Sequence, residues 1–251
     1  MFPFTHIWFS RNVLGYSNNM TVLGSIFPDA FVSLILDYDA THKTGWKLYD
    51  YFNIKKPKLL DFVKSSVTHT VSPKGLDYYG DESYRGSKGY CFQKAESIVE
   101  EVIEACNIPE KFGLWKAHNF IEMAIELIIL NENEYLLELL DKALKDNLAM
   151  HDIECSLESY YGLRTGSLRN NFKKFKHFVY KENISSRILS INYDHHMKAR
   201  HGISIDIDKA SRIIDKAKHI IHDDYVEFFE VAVTRVREML KDKLGNLPLV
   251  L

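Results

Sequence analysis

Apolar residues return every three or four positions along most of the chain after Lys94, the spacing that gathers them on one face of an α-helix. KAESIVEEVIEAC, GLWKAHNFIEMAIELIIL and EYLLELLDKALKDNLAM each predict a helix, and SLRNNFKKFKHFVYK, DIDKASRIIDKAKHIIH and DDYVEFFEVAVTRVREMLKDKLG carry the pattern toward the C-terminus. Asp206 or Asp208 suits the N-cap of the first of the last two, and Gly245 closes the second. Before Lys94 the helical pieces are shorter: MTVLGSIFPDAFVSLILD, TGWKLYDYF and KLLDFVKSSVTH. Polar or aromatic links join them. The longest link, 71–89, is rich in Gly, Tyr, Ser and charge, and its length predicts either a functional or a mobile loop. The chain shows no internal repeat and no clean boundary. The expectation is therefore an all-α protein, one helical domain over 1–251, with a metal-site region in 1–130 and a helical extension in 131–251 packed on it.

Composition narrows the function classes. With 251 residues, 46% of them hydrophobic, the chain can bury a substantial core. Its 32 basic and 34 acidic residues nearly cancel, so nothing global steers it toward nucleic acid or an anionic membrane. Cys91, Cys106 and Cys155 lack the paired spacing of zinc knuckles or redox motifs and read as reduced thiols. The N-terminal MFPFTHIWFS has no basic region, apolar run or small-residue cleavage site of a signal peptide. No apolar stretch approaches the ~20 residues of a membrane span. A soluble, cytoplasmic protein is the expectation.

Candidate chemistry lies in the first half, where His6, Asp29, His42, His69, Asp77, His118 and Glu122 are spread over separate segments. Imidazole nitrogens and carboxylate oxygens are the donors that zinc takes, and hydrolytic sites leave one position for water. His118-Asn-Phe-Ile-Glu122 is the sharpest local element, since residues four apart on a helix can chelate one ion. Its neighbours Phe120, Ile121, Met123, Ala124, Ile125 and Leu127 predict burial, and a buried histidine and carboxylate require partners. In Leu23-Gly-Ser-Ile-Phe-Pro-Asp29, proline at 28 suits the opening turn of a helix, which places Asp29 near a helix N-terminus where the dipole favours a carboxylate.

These residues, in this order, resemble the zinc-dependent phospholipase C family: an N-terminal histidine, GSIFPDAF, His42, Val67-Thr-His69 and His118-x-x-x-Glu122. That family includes the catalytic region of glycosylphosphatidylinositol-specific phospholipase D and is related to single-strand nucleases with a trinuclear zinc site. The resemblance covers roughly residues 1 to 130 and implies a multi-helix, phospholipase C- or nuclease-like bundle with additional C-terminal helices. It also implies a cluster of up to three metal ions that cleaves phosphate esters, zinc being the metal implied and manganese or iron the alternatives. Asp29 would be a metal ligand and the general base. His42 and His69 would bind the same centre, His118 and Glu122 a separate ion, and His6 would replace the N-terminal ligand group of secreted members. Two departures stand out. Four positions after His69 the family has an aspartate, whereas this chain has Pro73, with Asp77 and Asp81 the nearest carboxylates. No histidine lies between His69 and His118, where secreted members supply one. An inserted turn would bring Asp77 into the vacant place, the ion at His118 and Glu122 would be completed by Asp77 or water, and two metals are the safer expectation.

The reading that follows is a metal-dependent phosphoester hydrolase acting on a phosphate-containing small molecule or lipid headgroup, nucleic acid being less favoured. Its competitor is a non-catalytic, metal-stabilised helical binding protein. In the loop from Pro73 to Gly89, Lys74, Arg85, Lys88, Tyr78, Tyr79 and Tyr84 could cover the site and contact phosphate, or be ordinary solvated surface. His195, His196, His201, His219 and His222 read as helix-surface histidines, and the basic run Arg169 to Lys181 as the solvated face of an amphipathic helix.

Overall fold

The computed structural model describes residues 2–179 and 184–245, and the only β-feature among them is an isolated bridge between Tyr84 and Ser87. Fourteen α-helices follow one another in the described residues. The first seven are α1 (Pro3–Leu14), α2 (Asn19–Phe31), α3 (Tyr38–His42), α4 (Gly45–Lys55), α5 (Leu60–His69), α6 (Tyr90–Ala95) and α7 (Val99–Cys106). Then come α8 (Gly113–Glu132), α9 (Tyr135–Lys145), α10 (Asn147–Tyr161), α11 (Asn171–Val179), α12 (Ser186–His201), α13 (Ile207–Ile221) and α14 (Tyr225–Leu244). The all-α architecture is thus as the periodicity predicts. Among the described residues no helix is long and apolar enough to cross a membrane.

Two compact units make up the chain, each assembled from three separated stretches: 1–5, 79–133 and 181–229 in the first, and 6–78, 134–180 and 230–251 in the second. One boundary between these stretches falls at 133/134, and each unit draws on residues from both sides of it. Helices α9, α10 and α11 lay their apolar faces on α2, which binds 134–180 to the N-terminal segment, while α12 and α13 pack on α8. Periodicity shows which face of a helix is apolar; the neighbour that covers it is set by tertiary packing.

In the second unit α2 packs closely on α5. Gly24 makes that approach feasible, because a Cβ there would stand 2.0 Å from the carbonyl oxygen of Phe62. Phe27 packs against Phe31 and Phe62, Phe62 against Phe52, and Phe31 edge-on against Phe172, so aromatic rings fill the space beside the contact. Helix α2 begins earlier than the proline suggests. Asn18 accepts a hydrogen bond from Thr21 N at 3.0 Å while Thr21 Oγ1 accepts from Asn18 N at 2.9 Å, a reciprocal cap that starts the helix at Asn19. Pro28 consequently lies inside the helix, and Asp29 sits in its last turn rather than at an N-terminus.

In the first unit α8 is the central rod, with α6, α7, α12 and α13 packed on it. The apolar stripe of α13, Ala210, Ile213, Ile214, Ala217 and Ile221, is buried, and its start is fixed by Asp206, whose carboxylate accepts from Lys209 N at 2.9 Å. Of the two aspartates considered for that cap, Asp206 fills it. Glu126 of α8, fully buried, accepts hydrogen bonds from Phe4 N at 2.9 Å and from Thr5 N and Thr5 Oγ1 at 2.7 Å each, so a carboxylate satisfies the opening turn of α1.

Candidate metal centre

Five of the seven ligand candidates meet in the second unit. His6 comes from α1, Asp29 from the last turn of α2, His42 from the end of α3, His69 from the end of α5, and Asp77 from the link that follows. His42, His69 and Asp77 form one group able to hold an ion, and His6, Asp29 and His69 another. Distances between donors carry the metal argument. His69 Nε2 lies 3.1 Å from Asp77 Oδ2 and 3.9 Å from Asp29 Oδ1, and His42 Nε2 lies 3.6 Å and 3.5 Å from the same two oxygens. Donors bound about 2.0–2.2 Å from one ion at tetrahedral angles stand about 3.3–3.6 Å apart. The other oxygen of Asp77 lies 3.4 Å from His6 Nε2, so this carboxylate faces His6 on one side and His42 with His69 on the other, the arrangement of a bridging ligand.

Hydrogen bonds on the far side of two rings determine which nitrogen faces the carboxylates. His69 Nδ1 donates to the backbone carbonyl of Ser25 at 2.6 Å, since that oxygen can only accept. Thr41 Oγ1 lies 2.8 Å from His42 Nδ1 and shares a hydrogen bond with it, and it also lies 3.2 Å from the carbonyl of Tyr38 and 3.3 Å from that of Asp37. Both imidazoles therefore turn Nε2 toward Asp29 and Asp77. A lone pair against a carboxylate is repulsive until a cation, proton or metal, sits between them, and this use of the outer nitrogen is how metal-binding histidines are oriented.

Charge in the cluster is balanced by contact. Burial works against ionisation of Asp29, but His69 and His42 outweigh it and hold the carboxyl well below the usual carboxylate range. Asp77 is also held well below the usual carboxylate range: burial opposes its charge, and the N-terminal amine, His69 and His6 together outweigh it. Burial would lower His69, yet Asp77 and Asp29 raise it. His6 is pushed well down by burial and by the charge of His69, whose ring it stacks on at 3.5 Å and 6°. Neither nitrogen of His6 makes a hydrogen bond among the described residues. The histidines and Asp77 are closed off from solvent, whereas 35% of the Asp29 side chain is exposed, which leaves the cluster open on that side. Tyr38, itself exposed, stacks on His42 at 4.0 Å.

His118 and Glu122 lie elsewhere, in the first unit, one turn apart on α8 as their spacing predicts. Asp77 or water was expected to complete their set, and Asp77 also to fill the aspartate place that follows His69. In the structure its oxygens face the first cluster, and the carboxylate grouped with His118 and Glu122 is that of Asp81. Asp81 lies in the single π-turn Tyr78–Glu82, where Gly89 presses on its peptide: a Cβ at 89 would stand 2.3 Å from Asp81 N. The sequence signal for Asp81 was present, four positions beyond Asp77, but nothing in the pattern separated it from other loop carboxylates. Burial lowers His118, against the pull of Glu122, and the ring stacks on Phe92 at 4.3 Å and 18°.

The link 71–89 carries Asp77 and Asp81, one carboxylate in each of the groups able to hold an ion. Arg85 pairs with Glu227, Lys88 with Glu96 at 3.2 Å, and Lys74 lies over the ring of Tyr78 at 4.7 Å, so the chain itself engages the cations expected to meet phosphate. Tyr84 is buried against Tyr90 and Phe228. His195, His201 and His219 are exposed on helices, as expected, His222 is exposed at the C-cap of α13, and none of the four joins a three-residue metal group among the described residues. In the basic run, Phe172 is buried while Lys173 and Lys174 are exposed, the amphipathic arrangement its pattern predicts; Tyr180 and Lys181 lie outside the described residues. The chain matches no protein-family model, no curated protein and no solved structure.

Proposed function

We propose that the protein is a metal-dependent phosphoester hydrolase whose reaction runs at the cluster of His6, Asp29, His42, His69 and Asp77, zinc being its first candidate metal. The observation that carries this reading is the pair of Nε2 atoms on His42 and His69, facing two carboxylates across 3.1–3.9 Å. Divalent ions held there would lower the pKa of a coordinated water toward neutrality and offset negative charge on a phosphate. Asp29, ionised and facing solvent, is the group able to take the proton from that water. Asp77 bridges, and the outer contacts to Ser25 and Thr41 hold the imidazoles in register. A phosphate-bearing small molecule or lipid headgroup is the substrate class this chemistry serves.

Metal content of the purified protein, combined with hydrolysis of bis(p-nitrophenyl) phosphate and p-nitrophenyl phosphate, tests the reading. Hydrolysis should vanish on chelation and return with zinc or manganese. Asp29→Asn should reduce kcat by about 100-fold or more while the helical circular dichroism is kept, as expected for loss of a general base. Absence of bound metal, or hydrolysis that survives chelation, rejects it. Bound metal without turnover on either ester would favour instead the non-catalytic, metal-stabilised binding protein.

A further inference from the structure

Lys116 stands in the first turn of α8 with 5% of its surface exposed, and among the described residues no carboxylate pairs with it. Its Nζ lies 3.3 Å from His201 Nε2 and 4.0 Å from the centre of the Trp115 ring. An ammonium taken out of water is stabilised by an anion beside it, and neither an imidazole nor an indole face is one. We infer that Lys116, Arg200 and His201 form an anion site where α8 and α12 meet, and that its ligand is a phosphate group.

The charges around Lys116 share its sign. Arg200 and His201 adjoin at the end of α12, and Arg200 likewise has no acidic partner among the described residues. Burial and the positive charges of Lys116 and Arg200 hold the His201 imidazole below its usual pKa, so the three groups are close enough to act on one another. Helix α8 adds the positive end of its dipole, and neither an acidic residue in its first turn nor a side-chain cap offsets it. Acidic groups on neighbouring helices are taken: Asp194 by Lys198 and Ile205 N, and Glu104 by Lys209. The site is also separate from the ligand group on α8. His118 is two residues on, a spacing that turns side chains to different faces, and its ring packs on Phe92 of α6.

Phosphate fits by charge and by shape. Lys116 and Arg200 carry two fixed positive charges, and a phosphate monoester carries about −1.5 to −2 at neutral pH, so one group balances both. A carboxylate would leave one of them unbalanced. The guanidinium offers a planar fork, the ammonium a compact charge and His201 a ring N–H, donors suited to several oxygens of one anion. Arg200 and His201 are exposed and Trp115 is 49% exposed, so the ligand enters from solvent between them. Free phosphate and the phosphate of a nucleotide share this chemistry, and the half-exposed indole offers the second a surface for its base.

The chain has three tryptophans, Trp8, Trp46 and Trp115, so the indole N–H signals of ¹⁵N-labelled full-length protein give a local reading, Trp115 being assigned by the signal lost in Trp115→Phe. Titration with inorganic phosphate, in about 0.15 M salt to screen exposed charges, should shift the Trp115 signal saturably. Lys116→Met, which keeps the length of the side chain, and Arg200→Gln should each weaken that binding by about tenfold or more, as expected for loss of a charged hydrogen-bond partner. Arg200 is exposed, so its variant keeps the fold and decides the case should Lys116→Met melt early. Phosphate taken up at the candidate metal centre would be indifferent to both substitutions, so the outcome is independent of the proposed hydrolase. Titration with adenosine 5′-monophosphate separates the sources: binding about tenfold tighter than that of phosphate identifies a nucleotide, and equal binding identifies free phosphate. No saturable shift with either ligand, or a shift that persists unchanged in Lys116→Met and Arg200→Gln, overturns the inference.

Discussion

The ring of His69 and the backbone of Ser25 meet at 2.6 Å, Nδ1 to carbonyl oxygen, and this contact fixes the tautomer of the histidine at the centre of the cluster. Ser25 lies on α2 and His69 at the end of α5, so the closeness of the two helices, set by Gly24, also sets the direction of Nε2. Packing and ligand orientation are the same fact in this part of the molecule.

Gly24→Ala tests that link. The added Cβ would lie 2.0 Å from the Phe62 carbonyl oxygen and 2.8 Å from its carbon, backbone atoms that cannot rotate aside. The helices must separate, at a cost of about 1–3 kcal/mol or more. A fall of several degrees in Tm is expected, at about 2–4 °C per kcal/mol for a protein of this size. Zinc affinity should fall with it, because the Ser25–His69 contact opens. A variant that melts and binds zinc like wild type would show that the helix contact is not what orients His69.

Thr41→Val removes a single hydroxyl of nearly constant volume. His42 then loses the Nδ1 partner at 2.8 Å that holds its ring with Nε2 toward the carboxylates. Loss of such an outer partner weakens metal binding by about 10–100-fold. Competition with a chromophoric chelator measures this directly, and an unchanged zinc affinity would assign the ring's orientation to Tyr38 stacking instead.

Glu126→Gln addresses pH. Burial pushes the Glu126 carboxyl up from 4.5 to about 7, and the hydrogen bonds from Thr5 and Phe4 offset burial only in part. Between those values the native state holds a proton that the unfolded chain has released, so stability falls as pH rises through the window, by about 1.4 kcal/mol per unit at most. Below 4.5 the group contributes no slope, and above about 7 the loss is complete. The glutamine variant, which has no proton to lose, should show a flatter dependence of Tm between about pH 5 and 7 than wild type, both measured metal-free. Parallel curves would mean that the three hydrogen bonds keep Glu126 ionised throughout.

How much was legible in advance can be judged from particular residues. Helix-period patterning placed α8 and put His118 and Glu122 one turn apart on it, because an i, i+4 relation is local and every helix imposes it. The cap at Asp206 and the stop at Gly245 followed from side-chain chemistry at helix ends in the same way. Pro28 misled: read as a helix opening, it lies in the last turns of a helix already started by Asn18 and Thr21, and a strong cap outweighed the proline preference. Asp29 is accordingly kept ionised by His69 and His42 rather than by a helix N-terminus.

What the chain's order of residues determined by itself is therefore the helical class, the local pairs and the identity of most donors, all of which depend on neighbours within a turn or two. Tertiary structure alone decided the grouping. Whether Asp77 or Asp81 stands beside Glu122, whether 134–180 folds with 6–78, and which ring nitrogen of His69 faces a carboxylate depend on helices tens of residues apart. Those approaches are set by shape, as at Gly24 against Phe62, and shape complementarity between distant faces leaves no periodic mark in a single sequence.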